Sequence, residues 1–288
     1  MVQRISTRMP AFEGVGAGVI ATNRLPIGKQ YYSLALAYSG VTLAQMKQIT
    51  VYANNKPIVQ RTAEQINKMN QHDGLAAANG ILLIPFTRQN LKQRVNEEIT
   101  AIPTNNVPVA GHFTVTELRV EIDIDAGASN PALSLTAEQS LNTRQVGPNG
   151  DLLPLNACGL ILHQRRSFED VLTGTAEITN LNRGGVTNSL LNRITFKPSA
   201  GNLDNLKIER EGFTLFERSK ALNDLKLNNG VRVSKSADGY YTIDPTESGY
   251  GGDLLDISRQ FNDLRFIMDA SADATITILP DYVGLLGN

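Results

Sequence analysis

Cysteine occurs once in the 288 residues, at Cys158, which excludes an internal disulfide framework, a thiolate zinc site and an iron–sulfur cluster, because each needs several sulfurs. Tryptophan is absent and aromatics make up 6% of the chain, so stacking platforms for sugars or single-stranded nucleic acid are poorly supplied. No sign of charge dominates: 27 Lys and Arg face 28 Asp and Glu, and a net charge of −1 provides no general field for nucleic acid or an anionic membrane. The longest apolar run, residues 81–86 (ILLIPF), is far shorter than the roughly 20 residues that cross a bilayer. The N-terminal stretch MVQRISTRMPAFEGVGAGVI has no continuous apolar segment of the signal-peptide kind, so the expectation is a protein made and kept inside the cell.

Asparagine, in contrast, is plentiful, with 25 residues, and it suits turns and tolerates left-handed backbone. Apolar residues alternate with polar ones in short pieces bounded by Gly, Asn, Asp or Pro, which predicts a mostly β chain. The cleanest strand is 118–125, where Leu118, Val120, Ile122 and Ile124 share one face and Arg119, Glu121, Asp123 and Asp125 the other. Similar runs fall at 31–38, 47–53, 80–87, 132–138, 174–180, 191–197, 205–211, 239–244 and 274–279. Helices are expected to be few and to sit in connections. Thr62 with Gln65, and Thr42 with Gln45, make capping patterns ahead of apolar residues. Asp253 is placed to cap a helix carrying Leu254, Ile257, Phe261 and Leu264 on one stripe.

The second half repeats the order of the first. Residues 31–53 and 191–211 both read strand, Gly-containing turn (Gly40 and Gly201), short connection, strand. Glu117-Leu118-Arg119 with Asp123 is matched by Asp263-Leu264-Arg265 with Asp269, and each is followed by an alternating strand. The offset falls from 161 residues at the glycines to 146 at the leucines, as a longer first-half loop around 99–112 would cause. The expected architecture is all-β: two tandem eight-stranded jelly-roll sandwiches, a double jelly roll, with a few short helices. An N-terminal arm is assigned to 1–15, the first jelly roll to 16–156 and the second to 157–288, with the boundary after the turn Gly147-Pro148-Asn149-Gly150.

Three blocks in this order, LPIGKQYYSLALAYSGVTLAQMKQITV (25–51), RRSFEDVLTGTAEITNLNR (165–183) and LLDISRQFNDLRFIMDASADATITI (254–278), resemble the major capsid protein family of corticoviruses, tailless icosahedral phages with an internal membrane. In the third block the resemblance implies a terminal helix followed by two strands. It further implies a coat protein whose homotrimers are pseudo-hexagonal tiles. Its partners would then be neighbouring trimers, vertex (penton) and minor capsid proteins and an underlying lipid membrane, with no specific nucleic acid. Its place would be the virion, after assembly in the host cytoplasm, and no enzyme activity or cofactor is implied.

Gly14-Val15-Gly16-Ala17-Gly18 neither follows a clear strand nor opens a helix, so it reads as part of a mobile arm, with Arg4 and Arg8 free to touch lipid headgroups. His72, His112 and His163 form no ligand pair and read as solvated loop residues, and Cys158 reads as a linker thiol. Asp123 and Asp125 are the only metal candidates, for calcium, against a solvated strand end. The Lys207, Glu209, Arg210, Glu211 cluster and the Glu97-Glu98 pair read as wet surface. Two alternatives of other classes are a carbohydrate- or receptor-binding spike-like module, and a glycan hydrolase, which would need paired acids in an aromatic cleft.

Overall fold

A computed structural model describes residues 4–105, 113–141, 144–146, 152–154, 159–258 and 260–287. The first half contributes β1 (Arg4–Arg8), β2 (Ile20–Leu25), β3 (Gln30–Ser39), β4 (Met46–Ala53), β5 (Lys56–Arg61), α1 (Ala63–His72), β6 (Ile81–Pro85), α2 (Arg94–Glu98), β7 (Ile102–Pro103), β8 (Leu118–Ile124) and β9 (Ala132–Ser140). A hairpin of β10 (Arg144–Val146) and β11 (Leu152–Pro154) and the short β12 (Ile161–Gln164) lead to the second half. There follow β13 (Ser167–Val171), β14 (Gly174–Ile178), β15 (Leu190–Pro198), β16 (Leu203–Arg210), β17 (Phe213–Arg218), α3 (Lys220–Leu227), β18 (Tyr241–Ile243), β19 (Leu255–Asp256), β20 (Leu264–Ala270) and β21 (Ala274–Gly284).

Each half folds into two facing antiparallel sheets. The first pairs β1-β9-β3-β6 and β2-β8-β4-β5; the second pairs β13-β21-β15-β18 and β14-β20-β16-β17. Position for position these orders are the same, so the expected pair of eight-stranded jelly rolls is present. Each sandwich has its own core, one around Leu34, Ile49, Val120 and Ile122, the other around Ile194, Phe196, Ile208 and Phe266. β8 and β20 alternate buried and half-buried residues along their whole length, as the matched sequence runs require. Burying one such Ile or Phe contributes about 1.5–3 kcal/mol. Strand β12 pairs antiparallel with β21 and, through Gln164 and Val59, parallel with β5, so one sheet from each sandwich joins into a ten-stranded layer.

Several expectations need correction. No helix follows Asp253: Leu255 pairs with Leu191, the Asp256 carboxylate accepts from the Ser258 amide at 2.8 Å, and Glu211 accepts from the amides of Asn262 and Asp263. These local bonds outcompete a helix, and the terminal helix implied by the resemblance is absent among the described residues. Thr42 and Gln45 make their reciprocal cap bonds around a single turn, whereas Thr62 and Gln65 cap α1 as expected. Residues 4–8, assigned to an arm, form β1 against β9, because Arg-Ile-Ser-Thr-Arg carries little apolar signal yet supplies a half-buried edge. Gly14–Gly18 lies in the connection from β1 to β2. The turn at 147–150, the boundary near 156, His112 and Cys158 lie outside the described residues.

Candidate functional site

Charged residues are rarely buried unless paired, so their location marks where the chain invests in geometry. Arg61 ends β5 and is followed by Thr62, which caps α1; that helix ends at His72 and its C-cap Asp73. These first-half residues face Arg193 on β15, Asp281 on β21, and Arg232 and Asp244 around β18. All seven charged or imidazole side chains expose 6% or less.

The contacts form a continuous network across the two sandwiches. Arg61 Nη2 lies 2.6 Å from Asp281 Oδ1 and donates to the Pro280 carbonyl, while its Nε donates to the Arg165 carbonyl. Arg193 donates through Nε to Asp281 and through Nη1 to Asp73, both at 2.5 Å. Arg232 donates to Asp244 at 2.8 Å, and the two ring nitrogens of His72 face Asp244 and the Val233 carbonyl. Arg88 donates to the Gly251 carbonyl at 2.6 Å. Lys68 bonds Asp238 at 2.9 Å, and Met69 packs on Tyr240 and Leu279.

Electrostatics follow from burial and neighbours. Burial pulls the Arg61 guanidinium below its ordinary value, though Asp281 opposes this. Burial pulls Arg193 the same way, yet Asp281, Asp73 and Asp244 outweigh it and raise that group. Burial would raise Asp244, but the His72 hydrogen bond and the Arg232 charge hold it well below the carboxylate range. Burial, helped by the Arg232 charge and opposed by Asp244, pulls Arg88 down to about 10. The joint ties residues of the first sandwich to residues of the second.

Two of the histidines expected on loops are therefore buried. His72 is sealed inside the network, and His163 sits on β12 with Nε2 donating to the Leu285 carbonyl at 2.9 Å. Arg4, expected to be free for lipid, bonds Glu98 and Glu138 and lies 4.3 Å over the Tyr32 ring, which also removes Glu98 from the plain wet surface. Asp123 lies on the polar face of β8 and Asp125 just beyond its end, where Asp125 bonds Lys47 and the Gly127 amide, each at 2.6 Å. Lys47 feels both carboxylates. Among the described residues no group of three His, Cys, Asp or Glu side chains is arranged to hold a metal ion.

Sequence reading missed the network. Its available signal was a charge set inside apolar strands: Arg193 in LLNRITF and Asp281 in ILPDYV.

Comparison with known proteins adds to this geometry. Residues 6–140 match the family model described as the viral coat protein P2 N-terminal domain, and residues 167–286 match the viral coat protein P2 C-terminal domain. The major capsid protein P2 of Pseudoalteromonas phage PM2 is 27% identical over 275 residues, covering 94% of this chain and 93% of that protein. The crystal structure of the major capsid protein P2 from bacteriophage PM2 superposes with a TM-score of 0.83 at 24% identity, covering 98% of both chains. The crystal structure of the STIV MCP gives 0.66 at 9% identity, covering 98% of this chain and 97% of that one. The PBCV-1 virus capsid gives 0.62 at 11%, covering 98% and 94%.

Proposed function

Because the two coat-protein models together span most of its length, the chain belongs to the viral coat protein P2 family, and from that premise we propose that it builds an icosahedral shell as pseudo-hexagonal homotrimers over an internal membrane. The carrying observation is the internal repeat. Two sandwiches of identical strand order stand in one chain, so three chains present six similar outlines, and such a trimer fits a site of hexagonal packing.

The buried joint serves this reading by holding the angle between the two sandwiches, on which closure of a six-sided outline depends. Function lies in surfaces, with neighbouring trimers, vertex and minor capsid proteins as partners and the virion as its place, reached after assembly in the host cytoplasm. No helix among the described residues is long and apolar enough to cross a membrane, so lipid would be met through surface residues.

Light scattering on the purified chain tests the proposal. The expected species has three times the single-chain mass at micromolar concentration. A species that stays at single-chain mass over a hundredfold concentration range would remove the trimer.

A further inference from the structure

The two sandwiches correspond rung by rung, which allows the in-chain joint to be projected onto the rest of the surface. In β3·β9 the ladder shifts between Tyr31 and Ser33, after which Ser33 pairs with Glu138; in β15·β21 it shifts between Leu191 and Arg193, after which Arg193 pairs with Asp281. Glu138 is thus the first-sandwich counterpart of Asp281. In β4·β5 three pairs run from Ile49↔Arg61 to the bulge, and in β16·β17 three pairs run from Leu206↔Arg218 to the bulge. Arg218 is thus the counterpart of Arg61, and each arginine is followed directly by the residue that caps the next helix, Thr62 or Ser219.

The counterparts differ in what covers them. Asp281 is sealed by Arg61, whereas Glu138, held by Arg4 of its own sandwich at 3.2 Å, keeps a side chain 36% exposed, and the neighbouring Thr136 is exposed where its counterpart Leu279 is buried. Arg218 is 20% exposed and held by Glu247 of its own sandwich. Among the described residues β17 ends its sheet and exposes its own Leu215, while the equivalent β5 is joined to β12. Six residues beyond each cap, Lys68 of α1 touches the other sandwich through Asp238, and Leu225 of α3 is 72% exposed. The chain therefore carries both halves of a second joint, Arg218 beside the exposed Leu215 and Leu225 on one face and Glu138 on the other, each charge held within its own sandwich and still partly exposed.

We propose that β17 and α3 of one copy dock on β1, β9 and β3 of a second copy, with Arg218 meeting Glu138 there as Arg61 meets Asp281 within the chain. The inference rests on the trimeric reading above and names the face that makes it. A joint between different faces of identical chains either closes into a ring or runs into a filament. In a ring of three chains its six sandwiches would then alternate in-chain and between-chain joints of the same kind.

Charge reversal tests it. Arg218→Glu and Glu138→Arg are each expected to shift the light-scattering mass from three chains toward one, and the double variant carrying both is expected to restore three. A cysteine pair, Arg218→Cys with Glu138→Cys in a Cys158→Ser background, is expected to give cross-linked dimers and trimers on oxidation and no larger ladder. Single reversals that keep the three-chain mass, or a folded double variant that stays at one chain without any cross-linking of the cysteine pair, overturn the docking face while leaving the trimer intact. A native chain that never exceeds one-chain mass overturns the trimer itself and this face with it.

Discussion

His163 carries a pH dependence that can be derived from its surroundings alone. Burial on β12 pulls its imidazole down to about 4, although the Leu285 carbonyl opposes this, and Nδ1 has no hydrogen-bond partner. An unfolded chain protonates the same ring near pH 6.5. Between these values the unfolded state binds the extra proton, so the stabilising contribution is complete above about pH 6.5, is lost as the pH falls toward 4, and changes no further below it. The shift corresponds to about 3 kcal/mol. Urea unfolding at pH 4 and pH 7 is therefore expected to show a stability difference smaller by about that amount in His163→Gln than in the native chain. Equal differences in the two proteins would mean that the buried ring does not titrate on unfolding.

The elements differ in how plainly their residues announced them. β8 and β20 were legible because each keeps one dry and one wet face, and the turns at Gly40 and Gly201 were legible as a repeated pair. Both glycines have positive φ, +66° and +69°, and a Cβ on Gly40 would overlap the carbonyl oxygens of Ser129 and Asn130. Gly40→Ala is therefore expected to cost more than the about 1–2 kcal/mol of left-handed strain alone. Gly80, at φ +73° with open space around its Cβ position, supplies the control, and Gly80→Ala should cost only the strain. Equal losses in thermal melts would show that the loop around Asn130 simply moves aside. Other elements were hidden for physical reasons. β12 is buried at all four positions and β17 is exposed at most of its own, so neither alternates. The apparent helix stripe of 254–264 arose because Ile257, just after β19, and Leu264, at the start of β20, enter the second core from separate extended segments, a spacing that imitates a helix without forming one. The buried network was less legible still: Arg61 and Asp281 lie at opposite ends of the chain, and only the register of two sandwiches brings them together.

For the molecule as a whole, the question is whether that network stabilises the chain or orients it. Breaking a buried pair from one side leaves an uncompensated charge and costs about 3–5 kcal/mol, whereas replacing the whole group with apolar residues is often neutral. Asp281 is the shared counter-charge of Arg61 and Arg193, so Asp281→Ala is expected to lose about that much. Because each sandwich has its own core and the ladder between them rests on β12, its calorimetric trace should separate into two transitions. The triple variant Arg61→Met, Arg193→Met, Asp281→Leu removes two positive charges and one negative. Arg88 and Arg232 then balance Asp73 and Asp244, and most of the lost stability should return. What would not return is the directional set of donors that pins one sandwich against the other. The triple variant is accordingly expected to melt close to the native chain yet to give less of the three-chain species in light scattering, since a ring of six outlines tolerates little error in the angle within each pair. A triple variant as trimeric as the native protein would show that apolar packing of Met69 on Tyr240 and Leu279 sets the angle unaided.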